Sequence, residues 1–361
     1  MCAGAAGGAA GSAESAAAGP PQPKLKRVQC LVHCAGLRQT TVGGRARLSG
    51  HHLAGVTEVT FPGDPADVST PPDSAERSAV TATVPAGAVS GRPSVLGPGG
   101  GDRSPQPLRI VDPSELPQGF KLIDGKARPR RAFFDERGGV HLRYRFKAAE
   151  ATSIRVEVVR GKHHVIRTWR KPDQLPFARH SRTWDGLEGD GDAADDGRYR
   201  FRVGPFGGRG YGAGRVHLYG YRFPIRGPHS YGGALQRFGA PRSGGRIHEG
   251  QDTYANCGTP LEAARGGEVQ REGYDARLLG NFIVIDGFKT QSDFLYAHMV
   301  SRSHFHDGDR VHTGDRIGSV GKTGNARTTP CHLHFEIWPH GWHHGSPIDP
   351  LPSLRRWDRW S

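Results

Sequence analysis

Turn-forming residues limit how far any regular element of this chain can run. The sequence contains 53 glycines and 27 prolines among its 361 residues. Both residues destabilise helix interiors, so this composition argues against long helices and coiled coils. No run of about 18 apolar residues occurs, which argues against a transmembrane helix. The sequence therefore predicts a mainly β protein without a transmembrane segment, built from short strands and turns.

The net charge indicates which kind of partner the chain attracts. Lys and Arg number 49 against 35 Asp and Glu, which gives a formal net charge of +14. This balance favours an acidic partner, such as nucleic acid, an anionic membrane surface or an anionic cell wall. The basic residues do not form long runs, and aromatic residues suited to base stacking are not evident among them, so we expect no nucleic-acid partner.

The amino terminus has a composition unlike the rest of the chain. Residues 1–25 are mostly Ala, Gly, Ser and Pro, and a signal peptide is not evident because a basic start followed by an apolar core is missing. We expect a disordered tail or the remnant of a processed leader. A recorded start that lies inside or after the true signal peptide is a further hypothesis.

The next segment, residues 26–111, has short alternating runs bounded by Gly and Pro clusters, which is typical of strands. The stretch from Arg47 to Leu53, followed by Val56 to Phe61, resembles the opening of a TIG-type immunoglobulin-like module. Another small β-sandwich is the alternative.

A second β module is predicted for residues 112–206. Residues Arg198 to Val203 alternate with a period of two, so Tyr199, Phe201 and Val203 share one face of a strand. Together with the preceding Trp-Asp-Gly and Asp-Asp-Gly turns, this pattern resembles FlgD-type immunoglobulin-like domains. That resemblance implies a spacer or wall-binding role. The Gly- and Tyr-rich residues 207–235 are expected to be a connector or the first edge of the last domain.

Histidines are concentrated in the last third of the chain, where the first motif is His248-Glu249-Gly250-Gln251-Asp252. A zinc-binding helix of the H-E-x-x-H type would need His at position 252, and Gly250 would weaken such a helix. The motif therefore indicates a loop and strand. His and Asp are both good zinc ligands.

The second motif, His332-Leu333-His334-Phe335-Glu336, alternates polar and apolar residues as a strand does. His332, His334 and Glu336 therefore share one face, opposite Leu333 and Phe335. A third motif places His298 at the end of a strand. We expect the remaining histidines of this region to be surface or packing residues, namely His304, His306, His312, His340, His343 and His344.

These motifs, in this order, resemble the lysostaphin-like (LytM-type) zinc metalloendopeptidases, which cut peptidoglycan peptides. The resemblance covers residues 236–352 and leaves 353–361 as a tail. It includes framing segments at 238–242, 257–260, 263–269, 280–285, 308–311, 314–318, 321–324 and 348–350. It implies a compact antiparallel β-sheet peptidase domain.

The resemblance also implies the roles of the site residues. His248, Asp252 and His334 would bind one Zn²⁺ ion, while His298 and His332 would be catalytic histidines that do not bind the metal. Three protein ligands leave a fourth zinc position for water, and imidazoles are suited to moving protons near neutral pH. Glu336 is either a partner that orients an imidazole or a surface carboxylate.

Two pairs of cysteines are candidates for disulfides. Cys30 and Cys34 are close in sequence and could pair. If the implied ligand segments meet at one zinc ion, Cys257 and Cys331 come close together, and we expect a disulfide between them. Two buried free thiols are the alternative. Paired cysteines fit an oxidising compartment.

The sequence thus predicts a secreted or cell-wall-associated zinc endopeptidase that hydrolyses amide bonds in peptidoglycan cross-link or stem peptides. Anionic cell-wall polymers are the expected partners of its basic surface, and we expect a monomer. The alternative is a catalytically silent LytM-type protein that binds the wall or regulates another enzyme. The presence of all the expected ligand residues favours an enzyme, and bound zinc would discriminate further.

Overall fold

The computed structural model describes residues 19–361, which divide into two compact units. The first contains the described residues up to 121, together with 147–152 and 173–178; the second contains 122–146, 153–172 and 179–361. Antiparallel strands dominate both units, which confirms the mainly β class. No helix among the described residues is long and apolar enough to cross a membrane.

The first unit is built on two sheets that share one apolar core. Its strands are β1 (Lys24–Gly36), β2 (Gln39–His51), β3 (Glu58–Phe61), β4 (Val68–Thr70), β5 (Ser74–Glu76), β6 (Ala79–Thr83), β7 (Ser94–Gly97), β8 (Gly100–Arg103) and β9 (Arg109–Ile110). One sheet has the order β1-β2-β6-β5, with β9 beside β2, and the other has the order β4-β3-β7-β8. Leu48, Val59 and Val80 lie in the shared core.

The second unit begins with a module of two facing sheets. Its strands are β10 (Lys121–Arg128), β11 (Arg131–Phe133), β12 (Val140–Lys147), β13 (Thr152–Arg160), β14 (His164–Gln174), β15 (His180–Trp184), β16 (Gly197–Pro205) and β17 (Tyr211–Tyr219). The sheets have the orders β10-β12-β15 and β11-β17-β16-β13-β14. Buried Trp184 joins them, since its ring meets Tyr199 edge-on at 5.0 Å and Phe201 at 6.2 Å.

The rest of the second unit is centred on a seven-stranded sheet of order β18-β19-β26-β23-β22-β21-β24, beside a small β20-β25 sheet. The strands are β18 (His229–Tyr231), β19 (Gln251–Ala255), β20 (Pro260–Glu262), β21 (Gly267–Asp275), β22 (Gly280–Gly287), β23 (Ser292–Met299), β24 (Arg310–Val311), β25 (Arg316–Ser319) and β26 (His332–Pro339). Helix α1 (Leu351–Asp358) follows. Single 3₁₀ turns in the two units span Pro113–Glu115, Ala234–Gln236, Ser243–Gly245 and Gly324–Ala326.

A loop of the module packs against the seven-stranded sheet within this unit. Arg137 forms a two-pronged ion pair with Asp315, at 2.6 and 2.8 Å, and Arg310 contacts Asp135 at 2.6 Å. Arg265, 3% exposed, lies 3.9 Å from the centre of the Phe134 ring. Two ion pairs and the contact between the buried Arg265 and the Phe134 ring therefore hold the module and the sheet together.

Two expected irregular segments are regular in the structure. Residues 207–235, expected as a connector or as the first edge of the last domain, contain β17 in the interior of one sheet, and their β18 is the edge strand of the seven-stranded sheet. The glycines of this segment made β17 look irregular in the sequence, but at least one of them is required by packing. A Cβ atom at Gly214 would lie 2.7 Å from the backbone nitrogen of Ala127, so β10 can pass this close to β17 only if residue 214 is glycine.

The expected tail at 353–361 largely belongs to α1, and its apolar residues Leu354 and Trp357 are buried against the core of the seven-stranded sheet. A short helix with few apolar residues gives too weak a periodic signal to be recognised from sequence. Of the expected tail 1–25, residues 1–18 lie outside the described residues, and β1 already begins at Lys24.

Candidate metal centre

Three neighbouring strands bring the predicted site residues together. In the register of β19 against β26, Asp252 lies opposite His334, and Tyr254 lies opposite His332. On the other side of β26, His334 pairs with Ala297 of β23, the residue before His298. His248 lies in the loop that leads into β19. The period-two pattern predicted for 332–336 is confirmed, because Leu333 and Phe335 lie in the core.

Three potential ligand atoms converge at the centre of this cluster. His248 Nε2 lies 3.1 Å from Asp252 Oδ1 and 2.9 Å from His334 Nδ1, and the last two atoms are 2.9 Å apart. Ligand atoms bonded to zinc at about 2.0–2.1 Å in a tetrahedron are separated by about 3.3 Å. All three side chains are buried.

Hydrogen bonds on the outer side fix which nitrogen of each imidazole faces this centre. His248 Nδ1 donates to the Arg237 carbonyl at 2.9 Å, and His334 Nε2 donates to Glu336 Oε1 at 2.7 Å. Because these oxygens only accept, the nitrogens facing the centre carry lone pairs in the neutral rings. Two lone pairs and a carboxylate oxygen repel one another unless positive charge lies between them. The residues therefore fit a divalent cation such as zinc.

The pKa values of Asp252 and His334 indicate the same need for positive charge. Burial would raise the pKa of Asp252, but hydrogen bonds with His248 and His334 outweigh it and hold that pKa far below its usual range. Burial would lower the pKa of His334, yet hydrogen bonds with Asp252 and Glu336 raise it to about 10. In the absence of a metal, the cluster therefore retains a proton at pH 7.

The other two predicted histidines lie beside the three convergent ligand atoms and do not belong to that group. The rings of His298 and His332 have centroids 4.9 Å apart, and His332 Nε2 is 3.9 Å from Asp252 Oδ1. Their Nδ1 atoms donate to the carbonyls of Thr323 at 3.0 Å and Pro330 at 2.9 Å. Each ring therefore keeps an unprotonated Nε2 that can accept a proton.

Burial keeps both of these imidazoles neutral at pH 7. It lowers the pKa of His298 to about 3, with repulsion from His334 and His332 adding to the shift. Burial also lowers the pKa of His332, although Asp252 opposes the change. His298 has a φ of 62°, the left-handed conformation that costs energy for a non-glycine residue. Such strain at a polar, buried position is typical of functional sites.

Glu336 is buried and contacts His334, so of the two alternatives left open by the sequence it is the partner that orients an imidazole and not a surface carboxylate. One carboxylate oxygen accepts from His334, and the other accepts from Trp338 Nε1 at 2.5 Å. Sequence reasoning missed Trp338, although its position two residues beyond Glu336 places it on the same strand face. Trp338 fixes the carboxylate that in turn fixes the His334 ring.

We expect Glu336→Gln to weaken zinc binding by about 10- to 100-fold, because the amide retains the shape but loses the charge that supports the imidazole. Zinc affinity measured by competition with a chromophoric chelator tests this expectation. Trp338→Phe is the matched control, which removes only the indole donor and should have a smaller effect. An unchanged affinity in Glu336→Gln would contradict the role of the carboxylate.

A disulfide joins the two strands that carry the cluster. Cys257 follows β19 and Cys331 immediately precedes β26, and the two are bonded with their Cα atoms 5.3 Å apart. The predicted pairing is therefore confirmed. Cys30 and Cys34, whose pairing the sequence left open, are also bonded. The Cys257–Cys331 bond spans 74 positions of sequence and holds β19, which carries Asp252, beside β26, which carries His334.

Replacing Cys257 and Cys331 together by Ser should lower the free energy of unfolding of the second unit by about 4 kcal/mol, the chain-entropy value for a loop of this size. Denaturant unfolding followed by tryptophan fluorescence reports on this unit, because all six tryptophans lie within it. The Cys30→Ser, Cys34→Ser variant is the control and should leave this transition unchanged. If the Cys257→Ser, Cys331→Ser variant lost less than about 1 kcal/mol of unfolding free energy, the disulfide would contribute little to stability.

The cluster borders a cleft of about 430 Å³. Its lining includes Arg242, Arg246, Glu249 and Tyr254, none of which the sequence motifs had indicated as site residues. Arg242 approaches Asp252 to 3.9 Å, and the Tyr254 ring centre lies 5.7 Å from that of His332. None of the six histidines expected to be surface or packing residues lines this cleft.

Comparison with known proteins identifies the same part of the chain. Residues 246–350 match Peptidase family M23. The chain is 31% identical over 161 residues to the L-Ala--D-Glu endopeptidase of Bacillus subtilis, covering 42% of this chain and 48% of that protein. It is 36% identical over 110 residues to the peptidoglycan DD-endopeptidase ShyC of Vibrio cholerae, covering 30% of this chain and 24% of that protein.

Two further similarities concern lysostaphin. The chain is 35% identical over 114 residues to lysostaphin of Staphylococcus staphylolyticus, covering 31% of this chain and 22% of that protein. The solved catalytic domain of lysostaphin from Staphylococcus simulans is 29% identical, with a TM-score of 0.32, and 92% of it is covered by 35% of this chain. The chain thus spans about half the length of the Bacillus relative and about a quarter of the other two curated relatives. The carboxyl-terminal residues 246–350 form a peptidase family M23 domain.

Proposed function

We propose that this protein is a zinc-dependent endopeptidase that hydrolyses amide bonds in peptidoglycan cross-link or stem peptides. The observation that carries the proposal is the pairing of two groups in one cleft: three convergent ligand atoms and two neutral imidazoles beside them. A metal site that only stabilised the fold would have four protein ligands and no need for the second group.

His248, Asp252 and His334 would hold the zinc ion. A zinc ion at this position would acidify a bound water and polarise the carbonyl of the bond to be cut. Each of His298 and His332 presents an Nε2 atom that can take a proton from the attacking water. The resulting imidazolium can return that proton to the departing amine or donate a hydrogen bond to the developing oxyanion.

The relatives support the substrate class. Two of them are named for endopeptidase activity on an L-Ala–D-Glu bond or on peptidoglycan. A substrate in a cell wall requires a secreted or wall-associated protein, and the two disulfides fit such an oxidising location. We propose that the protein acts as a monomer, because one chain supplies all five residues of the site.

Digestion of purified cross-linked peptidoglycan, followed by mass spectrometry of the soluble fragments, tests the proposal. The expected result is fragments that differ from intact cross-linked units by addition of one water and that carry a new amino group in a peptide. Peptidoglycans with glycine bridges and with direct cross-links, compared side by side, identify the bond. The Asp252→Ala protein is the matched control.

The alternative of a silent wall-binding protein makes the opposite prediction. Such a protein would sediment with the wall without releasing fragments from any cross-link type. Fragments cut in the glycan rather than in the peptide would also overturn the proposal.

A further inference from the structure

Strand β10 of the second unit is bordered by two clefts with a strongly basic lining. The clefts have volumes of about 850 and 720 Å³, and Lys126 and Arg128 line both of them. We call the larger one the basic cleft. Six Lys and Arg side chains line it, namely Lys126, Arg128, Arg130, Arg198, Arg200 and Arg215.

Cations lie close together on the strands that line the basic cleft. In the pairing of β16 with β17, Arg198 lies opposite His217 and Arg200 lies opposite Arg215. The parallel pairing of β11 with β17 places Arg131 on the other side of His217. Like charges directly opposite in a sheet are destabilising. The Arg200–Arg215 pair therefore costs stability, Arg198 and Arg131 add positive charge beside it, and an anionic ligand would offset that cost.

The remainder of the same sheet face shows how such charge is usually neutralised. Glu157 of β13 pairs with Arg155 at 3.1 Å and with Arg202 at 3.0 Å. Among the described residues, by contrast, no carboxylate forms an ion pair with Arg198 or Arg215. The nearby Asp195 and Asp196 are engaged by Arg160 and Arg356 instead.

The pKa of His217 reflects the crowding of these cations. Burial lowers it, and the positive charges of Arg198 and Arg131 lower it further, while Asp196 opposes the change. His217 is therefore neutral at pH 7 and contributes a polar ring between two guanidinium groups.

The chemistry of the lining favours phosphate groups over nucleic-acid bases. Arginine predominates, and its planar fork matches phosphate oxygens in pairs. The tyrosines of the two clefts, Tyr144 and Tyr199, are 2% and 0% exposed, so they offer no ring face for stacking. Proteins that bind single-stranded nucleic acid rely on such faces.

We propose that the basic cleft binds a phosphate-bearing anionic polymer of the cell wall and thereby keeps the peptidase domain at its substrate. The choice of a wall polymer rests on the proposed function, whereas the preference for a polyanion rests on the charge of the cleft alone. The module is packed against the peptidase sheet through Arg137 and Arg310, so retention at this cleft holds the catalytic cluster near the wall.

Binding of the full chain to insoluble walls that carry phosphate polymers tests this proposal. The Arg198→Ser, Arg215→Ser variant should bind at least about tenfold more weakly near 0.1 M salt, with a shallower salt dependence. The matched control is Arg170→Ser, Arg209→Ser, which removes the same charge from exposed positions outside the cleft. The control should bind like the parent protein. Walls stripped of phosphate polymer should bind the parent and cleft variant equally weakly.

Three results would overturn the proposal: equal weakening in both double variants, equal binding of the parent to stripped and intact walls, or a preference for a single-stranded oligonucleotide over walls of equal phosphate content. The cleft variant should still unfold at the parent temperature or above it, because it removes repulsion. It should also cut a soluble cross-linked peptide at the parent rate. Loss of wall binding with intact cleavage therefore separates this proposal from the proposed function.

Discussion

Replacing His334 by Ala should abolish zinc binding and hydrolysis together. Its Nδ1 is one of three convergent ligand atoms, and the two that remain, from His248 and Asp252, cannot retain the ion at ordinary zinc concentrations. Because a catalytic metal contributes several kcal/mol to the stabilisation of the transition state, we expect the rate to fall by at least about 1,000-fold. Metal analysis of the purified variant and its rate on a soluble cross-linked peptide provide the two readouts.

The matched control is His304→Ala, which removes an exposed histidine outside the cleft. That variant should keep one zinc ion per chain and the parent rate. Stoichiometric zinc in His334→Ala would contradict the assignment of the ligands, whatever the rate of that variant. Circular dichroism should confirm that both proteins keep the strand content of the parent.

Replacing His298 or His332 by Ala should leave the zinc in place and reduce turnover by about 100-fold or more. Each ring is held by a backbone carbonyl and presents an unprotonated Nε2 to the cleft, as required of a general base. Neither ring belongs to the group of three ligand atoms, so neither substitution should release the metal. These two variants should therefore lose rate while keeping zinc, whereas His334→Ala should lose both.

The control for each variant is its own metal content, measured on the sample used for kinetics. Zinc loss in His332→Ala combined with zinc retention in His334→Ala would reverse the roles of the two histidines. Full activity in His298→Ala would remove that residue from the mechanism. Because burial lowers the pKa of both imidazoles below the ordinary value, both are neutral at and above pH 7, and the loss should persist from pH 7 to 8.

The sequence predicted the shared face of β26 because strand periodicity is local. Alternation alone places His332, His334 and Glu336 together, whatever the neighbouring strands are. It does not reveal that Asp252 lies opposite His334, since register depends on pairing between distant segments. The convergence of the ligands came from the resemblance to a family and not from the period of the strand.

The groups that orient the imidazoles were beyond the reach of the sequence. The carbonyls of Arg237, Thr323 and Pro330 accept from three of the histidines, and any residue type can supply a carbonyl. Their positions depend on loops fixed by tertiary packing. The opposed cations Arg200 on β16 and Arg215 on β17 were likewise hidden, because β17 lay within a segment that composition had marked as a connector.

A zinc titration of the metal-free protein, with peptide-bond hydrolysis recorded at each step, tests the central claim most directly. If His248, Asp252 and His334 hold a single catalytic ion, the rate on a soluble cross-linked peptide should rise in proportion to added zinc and stop rising at one equivalent per chain. Hydrolysis at the full rate before any zinc is added, or no hydrolysis once one equivalent is bound, would contradict the account.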